Sequence, residues 1–326
     1  MSYKIIPPNH VVDLTLTLEE GLLLSANPLC KLIVESALAR AQYHHPVTVS
    51  HYITEASHVH MLAVARDPKD IAGFQERFKT ETAHYLNRML GRKKRTVWCK
   101  GYAALPILTV SSAMKKIRYI YTNPAKDNLE ETIDNFPGLS SWSAWRTGRC
   151  KKTLPRLHRP MMPHLPGKFY AKNTYKRLKK ELKQRAKQQH VFTLEPDAWM
   201  EVFQITDEAE RRAINENILL MIREEERELK LARDRAGKTV IGREALAAAH
   251  LDLDYVPDRK GTKMWCICDD KDLRVRYIEW AKEIKRQARE VYERWKTGDF
   301  SVPFPPGVFA PAMPKLANMS PLATCF

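Results

Sequence analysis

The run HVHMLAV at residues 58–64 constrains the fold more than any other stretch of this chain. On a strand, side chains two apart share a face, so His58, His60, Leu62 and Val64 point one way and Val59, Met61 and Ala63 the other. A strand that is apolar on both faces belongs in the middle of a sheet with both sides covered. Two imidazoles on one face also suit two ligands of a single metal ion. Packing as core histidines is the plainer use of the same pattern.

The neighbouring segments supply such a sheet. HVVDLTLTL (10–18) and VTVSHYIT (47–54) alternate and are rich in β-branched residues, as strands are. Between them Asn27-Pro28 opens a helix that runs to about Gln42. Asp67-Pro68 caps a longer helix to about Leu90, with Ile71, Phe74, Phe78, Tyr85, Leu86 and Met89 as its apolar stripe. TVWCKGYAALPIL (96–108) reads as an irregular fourth strand, and Ser111-Ser112 caps a helix ending before Pro124. The first six elements of this β-α-β-β-α-β-α order match the split βαβ, ferredoxin-like pattern. That pattern covers one sheet face, so the left-over helix at 111–123 is the cover for the other. It carries Tyr119 and Asn123, four apart and on one helical face. Over the histidine strand it would bring a phenol and an amide to the imidazoles. Packing is the alternative role for both. Pro124 disfavours helical geometry at Asn123, which predicts a frayed or kinked end there.

Beyond Cys150 the character changes. Residues 151–190 hold 13 Lys and Arg against one acid, and they supply much of a net charge of +16. A surplus of that size points to a polyanion, nucleic acid before an anionic membrane. KKTLPRLHRPMMPHLPG (151–167) lacks any period and reads as a linker, and a basic helix follows it. There Phe169, Tyr170 and Tyr175 interleave with Lys176, Arg177, Lys179 and Lys180, as in surfaces that stack bases and hold phosphates; a solvated basic helix is the other reading. A second basic cluster, Arg92, Lys93, Lys94 and Arg95, follows the helix that ends near Leu90. Charged helices are expected at 206–236 and 271–297, and a Pro-rich tail at 301–326. The apolar stretches are too short or too interrupted to span a bilayer, and the N-terminal residues do not read as a signal peptide. No CxxC pair occurs among six cysteines, so packed, reduced thiols in a cytoplasmic protein are expected.

Taken together, HVHMLAV, FQERFKTETAHYLNR, VWCKGY, YIYTNPAKDNL and FPGLSSW resemble the single-tyrosine HUH transposases, most nearly their REP-associated branch. The likeness spans roughly residues 10–145. It implies an α+β, ferredoxin-like nuclease core (1–150) with an extra tyrosine-bearing helix. A basic linker (151–168), a mainly helical basic extension (169–300) and the tail would follow. It also implies a metal-dependent endonuclease and strand transferase acting on single-stranded or hairpin DNA. Tyr119 would be the nucleophile, forming a 5′-phosphotyrosine. His58, His60 and Asn123 would be ligands of a divalent ion, Mg2+ or Mn2+. Such a protein would sit with the nucleoid, as monomer or homodimer. A non-catalytic hairpin-binding protein and a replication-initiator nickase are the competing readings. Two departures from the family pattern, Ser57 before the first histidine and Trp142 after the serines, are expected to leave the chemistry untouched.

Overall fold

The computed structural model describes residues 4–19, 26–55, 57–93, 95–165, 172–248, 264–311 and 313–314. Lys94, Phe169 and Tyr170 lie outside them. The N-terminal half runs β1 (Val11–Thr17), α1 (Pro28–His44), β2 (Thr48–Thr54), β3 (His58–Val64), α2 (Pro68–Met89), β4 (Ala103–Pro106), α3 (Val110–Lys126), β5 (Leu139–Ser140) and α4 (Trp142–Thr147). The strands form one antiparallel sheet in the order β4-β1-β3-β2-β5. The fold is α+β with a ferredoxin-like core, and the histidine strand is central.

Alternation decides what each sheet face meets. Leu14 and Leu16 of β1 with Val59, Met61 and Ala63 of β3 pack against α1 and α2. Val11, Ile53 and Leu62 face the opposite way and pack with Ile117, Ile120 and Tyr121 of α3. The left-over helix is therefore the second cover. Helix starts follow their side chains: Asn27 Oδ1 accepts from Leu29 N at 2.8 Å, and Asp67 Oδ1 from Lys69 N at 2.8 Å.

Three local expectations change. The fourth strand is not continuous over 96–108. Trp98 bridges Leu18, the chain turns at Gly101 with φ of 80°, and regular pairing resumes at Ala103. Lys79 Nζ donates to the carbonyls of Cys99 (2.8 Å) and Gly101 (2.6 Å), satisfying groups that the break leaves off the ladder. Helix α3 begins earlier than Ser111, because Thr109 Oγ1 takes the N-cap by accepting from Ser112 N at 3.1 Å. It also runs through Pro124 to Lys126. A proline in the final turn forfeits only the bond to the Ile120 carbonyl, and the helix absorbs it.

The remainder is β6 (Lys151–Pro155), α5 (Lys172–Arg185), β7 (Gln189–Thr193), α6 (Ala198–Val202), α7 (Glu208–Arg235), α8 (Arg243–Ala248) and α9 (Lys271–Lys296). The basic extension is mainly helical, as expected. Lys151–Pro155, however, pairs antiparallel with Gln189–Thr193 where an aperiodic linker is predicted. That pairing joins residues about 40 apart and leaves no periodic mark in five residues. Leu154, Leu157, Tyr175, Leu182 and Phe192 then join the core on the α1 side. Helix α7 lies over α3: Arg118 Nε reaches Glu225 at 2.8 Å, and Arg233 donates to the Ala125 carbonyl at 2.7 Å. The tyrosine helix is thus held between sheet and α7. Among the described residues no helix is long and apolar enough to cross a membrane.

Candidate nuclease site

Strand register builds the site from below. Thr17 lies opposite His58 and Thr15 opposite His60, while Asp13 sits two residues further along the same face of β1. The His60 Nδ1 atom is 3.0 Å from Thr15 Oγ1 and 3.5 Å from Asp13 Oδ1. The His58 Nδ1 atom is 3.0 Å from Ser57 Oγ. Asn123 Nδ2, a donor 3.2 Å from His58 Nε2, leaves the lone pair on that nitrogen and the hydrogen on Nδ1 facing Ser57. At His60 the Asp13 carboxylate favours hydrogen on Nδ1, and the Lys116 ammonium, 3.3 Å from the same atom, opposes it. The Ser57 departure therefore does touch the candidate chemistry. The ring centroids of His58 and His60 are 4.7 Å apart. Burial is the main reason that both histidines titrate below the usual range, His58 at about 3, so both are neutral near pH 7.

Helix α3 supplies the upper half. Tyr119 is half-buried and crosses His60 edge to face, with centroids 5.3 Å apart. Asn123, one turn on, is buried; its Nδ2 donates to Glu55 Oε2 at 3.0 Å and lies 3.2 Å from His58 Nε2. The structure thus brings His58, His60, Tyr119 and Asn123 together. Lys116, one turn before Tyr119, pairs with Asp13 at 2.8 Å and stands 4.4 Å from the Tyr119 ring centroid. Lys126 stands 4.8 Å from that centroid. Burial first, then the carboxylates Asp127, Glu55 and Asp13, push the Tyr119 hydroxyl up to about 12.

Sequence reasoning missed four contributors: Asp13, Thr15, Lys116 and Glu55. Asp13 and Thr15 had a signal, being polar residues alternating within an apolar strand. Lys116 had one too, three residues before Tyr119 on the same helical face. Glu55 follows the end of β2 and had none. It is 1% exposed, and burial, followed by the neighbouring Asp127, raises its carboxyl well above the ordinary value.

Two imidazole nitrogens beside a side-chain amide oxygen make a donor set suited to a divalent cation. Among the described residues no group of three or more His, Cys, Asp or Glu is placed to hold a metal. An ion here would therefore draw on the Asn123 amide, turned to present Oδ1, beside His58 and His60.

Tyr121 plays a different part. Fully buried, its hydroxyl lies 2.7 Å from His51 Nδ1 and 2.8 Å from Ser141 Oγ, and its ring stacks on Trp145. Ser141 Oγ also accepts from Tyr52 N at 2.7 Å. The serine–tryptophan turn therefore fastens β5 and α3 to β2.

The predicted nucleic-acid contacts divide. Lys93 and Arg95 line a groove of about 520 Å³ with Lys79, His84, Asn87 and Arg159. On α5, Lys176 and Lys180 are exposed, Arg177 lies 3.8 Å from Glu181, and Lys179 is half-buried. Arg92 donates its backbone N–H to the Asn87 carbonyl at 2.8 Å.

Residues 26–123 match a family model described as IS200-like transposase. One solved structure, described as a REP-associated tyrosine transposase bound to a REP hairpin, aligns with a TM-score of 0.38 at 16% identity, over 44% of this chain and 81% of that one. Among curated proteins none matches. Across residues 26–123, the stretch that carries both histidines, Tyr119 and Asn123, this chain is similar to the IS200-like transposases.

Proposed function

We propose that this protein is a metal-assisted, single-tyrosine DNA endonuclease and strand transferase that acts beside DNA hairpins. One observation carries the reading: Tyr119 and Asn123 of α3 stand over the paired imidazoles within the stretch that matches the transposase family. The hairpin is suggested by family likeness, and the net charge of +16 supports a nucleic-acid partner. Residues 1–150 form the catalytic unit in this reading. Residues 169–300 serve as the extension, 151–168 join the two, and 301–326 are a tail.

Held by His58, His60 and the Asn123 amide oxygen, a divalent ion would relieve charge on the phosphoryl oxygens as a Lewis acid. The protein's own residues do the rest. Asp13, Thr15 and Lys116 hold the His60 ring in place through its Nδ1. Tyr119 Oη attacks phosphorus; the Tyr119 O–P bond forms as the P–O3′ bond breaks, the phenol loses its proton and the 3′ oxygen gains one. A hydroxyl near 12 is a poor nucleophile at neutral pH; the Asn123 side chain favours its ionised form by a hydrogen bond, and the ammonium groups of Lys116 and Lys126 stand 4.4 and 4.8 Å from the ring centroid. The 5′-phosphotyrosine conserves bond energy, so a second 3′-hydroxyl can reverse the step and join a new strand. The groove of Lys79, Lys93, Arg95 and Arg159 is the place for the duplex stem.

The test is incubation with Mn2+ or Mg2+ and hairpin-bearing strands from the DNA flanking the gene. A protein–DNA adduct that survives boiling in detergent, and is absent in Tyr119→Phe, is expected. Tight hairpin binding with no adduct on any such strand would point to the non-catalytic binding protein instead.

A further inference from the structure

Resting on the endonuclease reading, we infer that the C-terminal extension completes the site as a binding pocket for one unpaired nucleotide flanking the scissile phosphate. The pocket is the cleft that Trp265, Ile267 and Ile278 form against α3 and the β4 edge.

Residues 264–270 are built into the N-terminal half. Ile267 N donates to the Pro106 carbonyl at 2.9 Å and Leu108 N to the Ile267 carbonyl at 3.1 Å, which extends the sheet beyond β4. Two residues on, the Asp269 carboxylate accepts from Thr109 Oγ1 (2.7 Å), Ser112 Oγ (3.0 Å) and Lys115 Nζ (2.9 Å), at the start of the tyrosine helix. These hydrogen bonds hold its pKa well below the usual carboxylate range. The wall therefore moves with α3, and it stands at a fixed place relative to Tyr119.

Between wall and helix lies a cleft of about 880 Å³. Asp13, His60, Lys116 and Tyr119, the candidate chemistry itself, share its lining with the apolar side chains of Trp265, Ile267, Ile278 and Leu105 and with Lys115 and Arg274. The volume lies in the range of small-molecule pockets. An aromatic and aliphatic floor with cations among its lining, continuous with a phosphoryl-transfer centre, matches a nucleotide: base on the floor, phosphate toward the cations. The Lys285 ammonium, 3.7 Å from the Trp265 ring centroid, braces that ring.

The test uses full-length Tyr119→Phe protein, which should bind without cutting. Its affinity is measured for hairpin strands carrying one abasic position at each of the nucleotides on either side of the cleavage point. One position should weaken binding roughly ten-fold, the scale of one lost base–aromatic contact. With Trp265→Ala added, that same abasic change should matter less than two-fold, because the partner is already gone. Trp265→Phe should restore the sensitivity. If Trp265→Ala fails to fold by circular dichroism, Ile278→Glu replaces it, and the carboxylate should weaken flanked strands while sparing a bare hairpin. Additive losses from Trp265→Ala and the abasic site, or normal hairpin binding with no sensitive position, would overturn the pocket alone. Loss of binding even to the bare hairpin in the Tyr119→Phe protein would overturn the endonuclease reading as well.

Discussion

Tyr119 stands half-buried beside His60, whereas Tyr121, two residues on, is fully buried between His51 and Ser141. Removing each hydroxyl should therefore fail differently. Tyr119→Phe is expected to abolish adduct formation and leave hairpin affinity within about two-fold. Tyr121→Phe should still cut, but it leaves His51 and Ser141 short of a partner in the core, at a cost of about 1–3 kcal/mol. A lower melting temperature with adduct retained is the signature, and a catalytically dead but fully stable Tyr121→Phe would reassign the nucleophile. For the imidazoles the measurement is melting with and without Mn2+. The parent should gain several degrees with saturating metal, and His58→Ala or His60→Ala should gain none, since stabilisation by a ligand requires its site. A metal-dependent rise persisting in both variants would remove these residues from the ligand set.

At the scale of elements, α3 matters because it is clamped on two sides. Arg233 of α7 reaches back to the Ala125 carbonyl in the last turn, and Glu226 accepts from Ile133 N at 2.7 Å just beyond it. Arg233→Ala strips a partner from a carbonyl at the end that positions Asn123. The expected result is a loss of about 1–3 kcal/mol, read from denaturant unfolding, with a larger fall in cleavage rate than in hairpin affinity. Equal falls in both would mean that α7 supports the fold without tuning the site. β2 contributes a pH signature. Complete burial holds His51 at about 3, against 6.5 in an unfolded chain. The folded state therefore binds the proton less readily. Its stabilising share is whole above about pH 6.5 and falls by up to about 1.4 kcal/mol per pH unit as the pH drops toward 3. Melting temperature should decline below pH 6, and His51→Gln, lower at neutral pH, should show a shallower decline.

For the whole molecule the decisive quantity is where the positive charge meets DNA. Each phosphate contact on a single strand adds about −0.7 to the slope of log affinity against log salt, and on duplex about −0.9. Replacing Lys176, Arg177, Lys179 and Lys180 by Ala should flatten the slope by about one to two units if α5 tracks the strand. Arg177 lies near Glu181 and Lys179 is half-buried, so the full four contacts are not expected. Replacing Lys93, Arg95 and Arg159 should flatten it by two or more if the groove holds the stem. An unchanged slope in the first set and a changed one in the second would assign recognition to the groove beside α2.

The sequence by itself determined what local periodicity can encode. Alternation over 58–64 made β3 central and put His58 and His60 on one face; the four-residue spacing put Tyr119 and Asn123 on another. Those patterns survive in the structure because strand and helix geometry repeat over a few residues whatever surrounds them. Only the tertiary structure decided which buried groups face these four. Cross-strand register set Asp13 and Thr15 against His60, and the end of β2 put Glu55 beside Asn123. The same holds for β6, whose five residues become a strand only because β7 offers a partner, and for residues 265–269, which join the site from more than 140 positions away. Such contacts are made by pairing and burial between distant segments, and no period in either segment records the other.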